Sequence, residues 1–296
     1  MLIRKIFELL YGKVKVDNLL SFSNKRSEIS NFENDKKPNH KYFLFSSDNC
    51  RIYTDLNENV AVIQNGVILD GHSFQQINGK LENLKYNSAL TKGTPYFFKR
   101  INGRILNLLQ GSSGENYFHF MCDILPKIWL AKSIINLDQI DYFLVNKKID
   151  WQVNIFELLG INSKKILSAD KNRHIKVKSI QSVTHPWYLE GYIQEQVCNI
   201  PSWIIYELRK YFLKKKKSNE KLKIFIDRSS SKFNHCRIMN NSELINFLAK
   251  RNFQIIKPEK LSLNDQVEIF NNAQIIIGGH GAGLTNIIFC EKNTNI

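Results

Sequence analysis

Paired cysteines and long apolar runs are absent from this 296-residue sequence. Its five cysteines are odd in number, widely scattered and never spaced as C-x-x-C, which argues against a disulfide framework or structural zinc and favours a reducing cytoplasm. No apolar run approaches the roughly 20 residues of a membrane span, and no cleavable signal pattern opens the chain. With 43% apolar residues, the sequence predicts a globular cytoplasmic protein.

Acidic residues are outnumbered, since 42 Lys and Arg stand against 27 Asp and Glu, giving a formal net charge of +15. Such a positive field attracts phosphate-bearing partners, among them nucleic acid, anionic lipid and sugar nucleotides. The basic residues are spread along the chain, and no zinc finger, RNP-type aromatic strand or basic-helix pattern is present. Nucleic acid is therefore not expected as a partner.

The N-terminal segment predicts a short amphipathic helix, because its apolar residues recur at helical spacing with cationic residues nearby. The apolar residues are Leu2, Ile3, Ile6, Leu9 and Leu10, and the cationic ones are Arg4, Lys5, Lys13 and Lys15. Two interpretations stay open: a peripheral contact with an anionic membrane, or a helix packed on its own domain.

Composition and pattern divide the chain into three segments. Residues 1–58 hold the basic helix and a polar stretch rich in Asn, Ser and Lys. Residues 59–213 open with a hairpin signal at Asn65-Gly66 and mix strand and helix patterns, which predicts an α/β layer. Residues 214–296 begin with four lysines, interpreted as a solvated linker, and then alternate strand and helix three times. This alternation predicts parallel βαβ units, which bind ligands beyond the carboxyl ends of their strands.

The segment QIIIGGHGAGLTNIIF, residues 274–289, runs from a predicted buried strand through a glycine-rich turn into a predicted helix. Glycines at such a turn let the backbone approach a ligand, and the free N–H groups of the helix start favour an anion such as a pyrophosphate. The turn glycines are Gly278, Gly279, Gly281 and Gly283. His280 can donate a hydrogen bond to a phosphate or sugar oxygen, and Thr285 and Asn286 add short polar groups. Neither the G-x-G-x-x-G spacing nor a P-loop Lys is present, and a plain tight turn with a surface histidine is the alternative.

Arginines stand near a second strand end. The predicted strand LKIFID closes on Asp227 and is followed by Arg228, and Arg237 precedes the next predicted helix. Guanidinium groups near the glycine turn can neutralise a departing diphosphate, for which the planar fork of arginine is better suited than lysine.

A third stretch, GSSGENYFHFMCDILPK, pairs an imidazole with a carboxylate. Helical spacing runs through Leu125, and Pro126 predicts a kink or break. His119 and Asp123 are four residues apart, so on a helix they share a face, where the carboxylate orients the imidazole and raises its basicity. This arrangement is typical of a general base, and a purely structural histidine is the alternative.

Taken in this order, the three stretches resemble glycosyltransferase family 61, which includes eukaryotic protein O-linked N-acetylglucosaminyl- and xylosyltransferases and bacterial polysaccharide enzymes. The resemblance extends from about residue 60 to the end of the chain. The matching residues are Asn116, Tyr117, His119, Asp123, Leu125 and Pro126, then Arg228, Arg237, Asn240, Glu243 and Leu244, then the block from His280 to Asn286.

The resemblance implies an α/β, GT-B-type fold of two Rossmann-like domains facing a cleft, with the acceptor side at 59–213 and the nucleotide sugar at 214–296. It implies inverting transfer from a nucleotide sugar, with a UDP-sugar expected, to a hydroxyl of a glycan or lipid-linked acceptor in surface polysaccharide biosynthesis. The implied catalytic residues are His119 and Asp123, and the implied acceptor-side residues are Asn116 and Tyr117. The implied donor-binding residues are Arg228, Arg237, Asn240, Gly279, His280, Gly281, Ala282, Gly283, Thr285 and Asn286.

No cofactor or metal is expected. Metal-dependent GT-A-type enzymes commonly use Asp-x-Asp, and no two aspartates in this chain are two apart. The sequence departs from the family at Phe120, where Trp is usual. Members of the family also continue past the last block, so the C-terminal domain is expected to be incomplete. Two other classes stay open: a non-catalytic nucleotide- or phosphate-binding module, and a peripheral membrane protein whose enzyme features are relics.

Overall fold

The structure, a computed structural model, describes residues 2–16, 25–111, 113–213, 220–230, 236 and 238–296. The predicted linker lysines 214–217 and the predicted donor residue Arg237 lie outside the described residues. The chain divides into two compact units, Met1–Ile204 and Ile205–Ile296, hereafter unit 1 and unit 2. The predicted α/β class is confirmed.

Unit 1 is built from short strands and a smaller number of helices. Its strands are β1 (Lys15–Val16), β2 (Arg26–Ile29), β3 (Tyr42–Asp48), β4 (Arg51–Thr54), β5 (Asn59–Gln64), β6 (Val67–Ile68), β7 (Phe74–Ile77), β8 (Lys80–Leu81), β9 (Lys99–Asn107), β10 (Tyr142–Val145), β11 (Ile166–Ser168), β12 (His174–Val183) and β13 (Gly191–Tyr192). Its helices are α1 (Leu2–Tyr11), α2 (Ser88–Thr91), α3 (Tyr117–His119), a π-helical turn (Phe120–Ile124), α4 (Leu125–Lys132), α5 (Asp150–Leu158) and α6 (Ile193–Gln196). Short 3₁₀ helices cover Leu84–Tyr86, Leu137–Gln139, Ser163–Lys165 and Val197–Asn199.

The remaining elements follow the division between the units, which α7 (Ser202–Phe212) crosses. The strands of unit 2 are β14 (Leu222–Ile226), β15 (Phe253–Ile256) and β16 (Ala273–Gly278). Its helices are α8 (Asn241–Ala249), α9 (Leu263–Asn272) and two 3₁₀ helices, Pro258–Lys260 and Ala282–Phe289.

One 13-stranded mixed sheet organises unit 1. On one side of it β11, β10, β9 and β12 lie next to each other in that order, and all their pairings are parallel. The helices α3 and α4 lie between β9 and β10 in the chain, and α5 lies between β10 and β11. This parallel quartet thus has the strand order 3-2-1-4, which is the order of the first four strands of a Rossmann-type sheet.

Apolar residues on both faces keep the parallel quartet buried. Consecutive apolar residues are buried in both central strands. They are Ile105 and Leu106 of β9, and Phe143, Leu144 and Val145 of β10. Near-continuous apolar runs of this kind are typical of parallel strands, which have helices or other layers against both faces.

The antiparallel part of the sheet includes the predicted hairpin, which is confirmed. β5 pairs with β6 across Asn65 and Gly66, whose φ angles of 50° and 78° are left-handed, as a type I′ turn requires. The stretch predicted only as polar contains β2, β3 and β4, which join the same sheet because Tyr42, Leu44 and Phe45 of β3 are buried.

The helix that carries His119 continues through Pro126, so the predicted break is wrong. The N–H of Leu125 bonds to the carbonyl of Phe120, a π-helical contact, and Pro126 falls in the first turn of α4. A proline is tolerated there because the π turn accommodates its ring, and the carbonyl left without its N–H donor finds another partner.

Unit 2 contains a three-stranded parallel sheet in the order β15-β14-β16, which confirms the predicted βαβ pattern. α9 begins at the predicted cap Ser262, whose hydroxyl accepts the N–H of Asp265. The cap of α8 is Asn240 instead of the predicted Asn241 or Ser242, and its side chain makes no capping hydrogen bond.

The helix predicted after the glycine turn is a 3₁₀ helix, preceded by Gly281. On the outer edge of β16, Asn295 forms a parallel bridge with Ile275 and donates its N–H to the carbonyl of Gln274. The predicted N-terminal helix is confirmed as α1, and none of the described helices is long and apolar enough to cross a membrane.

Candidate active site

The candidate site of unit 1 lies at the carboxyl ends of the parallel quartet. The chain leaves β9 toward β10 on one side and leaves β12 toward β13 on the other, although β9 and β12 are direct neighbours. His119 follows β9, and His185 follows β12. Open α/β sheets bind ligands at such a switch point, outside the carboxyl ends of the strands.

A network of side chains fixes the loop between β9 and α3. The amide of Asn146, just after β10, accepts the N–H of Gln110 at 3.0 Å and donates to the Gln110 carbonyl at 2.8 Å. Ser113 donates to the same amide oxygen at 2.9 Å. These bonds tie the ends of two neighbouring strands together, so the helix after the loop starts from a fixed point.

Asn116 caps that helix. Its side-chain oxygen accepts the N–H groups of Phe118 at 2.9 Å and His119 at 3.4 Å, as an N-cap residue does. Tyr117 packs against Trp151 with 5.8 Å between ring centroids, and burial raises its pKa. In the described contacts both residues position the helix, and their acceptor-side role stays a prediction.

The predicted imidazole and carboxylate meet. His119 Nδ1 lies 2.8 Å from Asp123 Oδ2, and their side chains are only 9% and 1% exposed. Because an ionised carboxylate only accepts hydrogen bonds, Nδ1 carries the proton and Nε2 keeps its lone pair. No described residue bonds to Nε2, so this nitrogen can accept a proton from a bound molecule.

A tryptophan from another part of the chain completes the environment of Asp123. Trp187 donates its indole N–H to Asp123 Oδ1 at 2.7 Å and to the carbonyl of Cys122 at 3.1 Å. In an α-helix the Cys122 carbonyl would accept the N–H of residue 126, which is a proline and has none. Trp187 therefore supplies the donor that Pro126 lacks.

A second histidine faces the same carboxylate. His185 Nδ1 accepts the N–H groups of Trp187 at 3.2 Å and Tyr188 at 2.8 Å, so its proton is on Nε2, which lies 3.9 Å from Asp123 Oδ2. Burial lowers the pKa of His185, although Asp123 opposes the shift. His185 is therefore a neutral group that directs an N–H toward Asp123.

The charge of Asp123 is stabilised although the side chain is buried. Burial alone would raise its pKa, but attraction to His119, the hydrogen bond from His119 and the N–H that His185 directs at it from 3.9 Å outweigh burial and hold the pKa below its usual range. The group is thus ionised at neutral pH. Its charge fixes the orientation and the tautomer of the imidazole bonded to it.

Lys127 is a buried cation in the same region. It donates to the carbonyl of Leu109 and to the side-chain oxygen of Gln110, each at 2.8 Å. Burial lowers its pKa to about 8, against the attraction of Asp123. Lys127 thereby holds the β9 loop and offsets part of the Asp123 charge.

Gly111 makes room for the ring behind His185. Phe74 stacks on the His185 ring with 5.6 Å between centroids and 21° between planes. A Cβ on Gly111 would come within 2.6 Å of the Phe74 ring, so no other residue fits without moving that ring.

Sequence reasoning missed His185, Trp187 and Lys127. The signal that could have found the first two is the run THPWY directly after a predicted strand, because polar and aromatic residues beyond strand ends are where α/β sheets bind ligands. For Lys127 the signal was its place directly after Pro126, on the helix that holds Asp123.

The candidate anion site of unit 2 joins the end of β14 to the glycine turn. The guanidinium of Arg228 lies against the backbone of Gly281, where a Cβ would come within 2.5 Å of Nη1. Nη1 is buried and has no hydrogen-bond partner within the part of the chain that the structure describes. The structure thus brings the predicted Arg228 and glycine turn together.

Asp227, beside Arg228, organises the start of the following loop. It accepts the N–H of Ser229 at 2.9 Å and the amide of Asn241 at 3.0 Å, and it pairs with Lys257 at 3.2 Å. Burial raises the pKa of Asp227, but the bonds from Ser229, Asn241 and Lys257 outweigh it, so the pKa is lowered. Asp227 is therefore an ionised structural anchor, and Arg228 is the adjacent group left for a ligand.

The other predicted donor residues differ in exposure. His280 is exposed, and so is Asn240. Thr285 is buried, and Asn286 is buried and donates to Gln266 at 2.7 Å. Gly279, Ala282 and Gly283 are half-buried along the turn. Their contact with a donor stays a prediction, and the described contacts give Asn286 a structural bond.

Potential metal ligands do not cluster in the described ranges, where no group of three or more His, Cys, Asp or Glu side chains could hold an ion. Neither the fold nor the positions of these side chains test whether sugar transfer needs a metal ion. Metal independence therefore stays a prediction.

Comparison with known protein families gives a match. A sequence model of the family described as "Glycosyltransferase 61" matches residues 117–296, which begin at α3 and include His119, Asp123 and the anion site of unit 2. This range is shorter than the resemblance noted from residue 60. A search among curated proteins found no match.

Proposed function

The chain belongs to the glycosyltransferase 61 family, and from this premise we propose that it is an inverting enzyme moving a sugar from a nucleotide donor to a hydroxyl acceptor. The family supports glycosyltransferase activity with a donor and an acceptor substrate. The single observation that carries the finer proposal is the His119–Asp123 pair, with its carboxylate ionised and the lone pair of Nε2 free.

The proposed reaction is one displacement at the anomeric carbon. The acceptor oxygen bonds to that carbon while its proton passes to His119 Nε2, and the bond from the carbon to the diphosphate oxygen breaks with its electron pair leaving on the diphosphate. Attack from the face opposite the leaving group inverts the configuration. Asp123 stabilises the imidazolium formed on His119, because its charge is already in place at 2.8 Å.

The donor side of the proposal rests on unit 2. Arg228 presents an unpaired, buried guanidinium nitrogen beside the glycine turn, where helix-start N–H groups also favour an anion. We assign the diphosphate to this place, with a UDP-sugar as donor. The GT-B-type two-domain arrangement, a glycan or lipid-linked acceptor of surface polysaccharide biosynthesis, and a cytoplasmic location belong to the same proposal.

Two histidine variants test the division of roles. Against a panel of UDP-, GDP- and CMP-sugars, His119→Ala is expected to lower kcat by about 10²–10⁴ with little change in donor affinity, because it removes the base alone. His280→Ala is expected to raise the donor KM with a smaller loss of kcat. If the wild-type protein binds a donor but transfers its sugar to none of the acceptors tested, the result would instead support the non-catalytic binding module.

Arg228 and the absence of a metal requirement are tested in the same assay. Arg228→Ala is expected to weaken nucleotide binding about tenfold or more, whereas the matched Arg251→Ala, whose guanidinium lies over Phe247 in the same unit, is expected to bind as wild type. Turnover is expected to persist in excess EDTA. Loss of activity in EDTA that Mn²⁺ or Mg²⁺ restores would refute metal independence.

A further inference from the structure

The N-terminal helix α1 exposes its described aliphatic residues to solvent, whereas Arg4, Phe7, Glu8 and Tyr11 are half-buried. Among its described side chains, Ile3 is 62% exposed, Ile6 47%, Leu9 89% and Leu10 53%. Apolar side chains exposed singly are ordinary, but a group on one short helix marks a contact surface. α1 does pack on its own domain, through Arg4, Phe7 and Tyr11, and its outward aliphatic residues are left for another contact.

Polar and aromatic contacts hold α1 in this orientation. Arg4 donates to the carbonyl of Thr91 at 2.7 Å and pairs with Glu8 at 2.7 Å, on the side of the helix that faces the domain. Tyr11 packs against Phe98 with 4.6 Å between ring centroids. The outward face is thus set by anchored residues on the opposite side of the helix.

A second segment extends the exposed apolar surface. Phe97 is 74% exposed and touches Phe7 of α1, with 5.1 Å between ring centroids. We define the N-terminal patch as the outward apolar residues of these two segments, and they are Ile3, Ile6, Leu9, Leu10 and Phe97. An aromatic ring beside aliphatic side chains is the composition that sits at the boundary between lipid headgroups and acyl chains.

Exposed cationic residues flank the N-terminal patch along the chain. The exposed cationic residues within 2–16 and 89–100 are Lys5, Lys13, Lys15, Lys92, Lys99 and Arg100. The only acid in residues 2–16 is Glu8, which Arg4 neutralises, and residues 89–100 contain none. The local charge is therefore positive throughout and complements an anionic surface.

We propose that the N-terminal patch docks this protein on an anionic lipid bilayer, with the apolar residues entering the headgroup boundary and the cations meeting lipid phosphates. A second copy of the chain fits less well, since it would set the same cations against each other. The proposal is independent of the sugar-transfer reaction, because docking is measured without donor or acceptor.

Co-sedimentation with vesicles tests the proposal. The vesicles are phosphatidylcholine, either alone or with about 25% phosphatidylglycerol as the anionic lipid. Wild type is expected to bind the anionic vesicles, less strongly as NaCl rises. A triple variant, Ile6→Ser, Leu9→Ser and Leu10→Ser, is expected to lose about tenfold or more of the partition coefficient at unchanged net charge, because its apolar contact is removed.

A matched triple variant separates this surface from general adhesion of a basic protein. Ile134→Ser, Leu158→Ser and Phe247→Ser changes three other side chains, which are 40%, 49% and 51% exposed, and is expected to bind as wild type. The single variant Leu9→Ser removes a side chain that makes little contact with the fold, so it stays folded and is expected to lose part of the binding.

Three outcomes would overturn the proposal. In the first, the N-terminal triple variant binds as strongly as wild type, so that charge alone explains the adhesion. In the second, wild type binds neither kind of vesicle. In the third, sedimentation velocity shows a wild-type dimer that the N-terminal triple variant dissociates while vesicle binding is absent, which assigns the patch to a second copy.

Discussion

Asp123 is the residue on which the unit 1 site depends, because it unites His119, Trp187 and His185 around one buried charge. Asp123→Asn keeps the shape and removes the charge. The amide no longer specifies the tautomer of His119, so we expect kcat to fall by about 10²–10⁴ with the donor KM little changed. Steady-state kinetics measure this, with the exposed Asp138→Asn as a control that should behave as wild type.

Gly111 and Gly114 offer a matched pair of stability tests in one loop. Gly111→Ala places a Cβ within 2.6 Å of Phe74 and should cost about 1–3 kcal/mol of unfolding free energy, because the ring must leave its stack on His185. Gly114→Ala meets nothing closer than 3.9 Å, at Asn146. Equal destabilisation in urea titrations of the two variants would contradict this account of Gly111.

At the residue scale, sequence predicted what is local. His119 and Asp123 are one helical turn apart, so their contact follows from the 3.6-residue period alone. His185 and Trp187 reach the same carboxylate from beyond β12, and only the order of the parallel strands brings them there. Periodicity carries no information on strand order, which is why these two residues were missed.

The helix from α3 to α4 shows the same limit at the scale of an element. Its helical period was predicted, but the π turn was not, because one extra residue in a turn leaves the apolar pattern almost unchanged. The consequence is that Pro126 leaves the Cys122 carbonyl without a helix donor and Trp187 supplies one.

Trp187→Phe tests that arrangement. It leaves both the Cys122 carbonyl and Asp123 Oδ1 without the indole donor while keeping an aromatic ring, and we expect a loss of about 2–5 kcal/mol of unfolding free energy from these two buried acceptors. Trp203→Phe is the matched control, since it removes one bond, to the hydroxyl of Tyr42. Urea unfolding that ranks the control as the more destabilised variant would refute the argument.

Other elements were predicted to different extents for physical reasons. β10 is an apolar run, β12 has apolar residues interleaved with polar ones, and the three strands of unit 2 alternate with helices, so their patterns were clear. β2 was hidden in a polar stretch because an edge strand with the sequence RSEI resembles a loop until a partner strand covers it, and β3 was missed because its apolar start, YFLF, is short and has polar residues on both sides.

Buried histidines set the pH dependence of the whole molecule. Burial lowers the pKa of His72 to about 3 and that of His174 to about 4. In the unfolded chain the pKa of a histidine is about 6.5. Below that value the unfolded chain binds more protons than the native one, so the unfolding free energy falls as pH falls, by about 1.4 kcal/mol per pH unit for each histidine.

We therefore expect stability to change little at about pH 7 and to decrease from about pH 6.5 toward about pH 4. The lowered pKa of Asp123 acts in a separate window, because its contribution is lost only as pH falls below about 3.9. Urea unfolding of His72→Leu between about pH 7 and about pH 5 should show that the unfolding free energy depends less on pH than in wild type. The difference should equal the contribution of one histidine.

The position of Trp187 has one more consequence. Its indole proton is held between a carboxylate and a carbonyl only when β12 lies beside β9, so the proton's magnetic environment reports on long-range assembly of the sheet. A single resolved NMR resonance from that proton would count native molecules during refolding. The pairing of β12 with β9 that places this indole proton also places the hydrogen-bond donor to Asp123 beside His119. The unit 1 site is therefore complete only after these long-range contacts have formed.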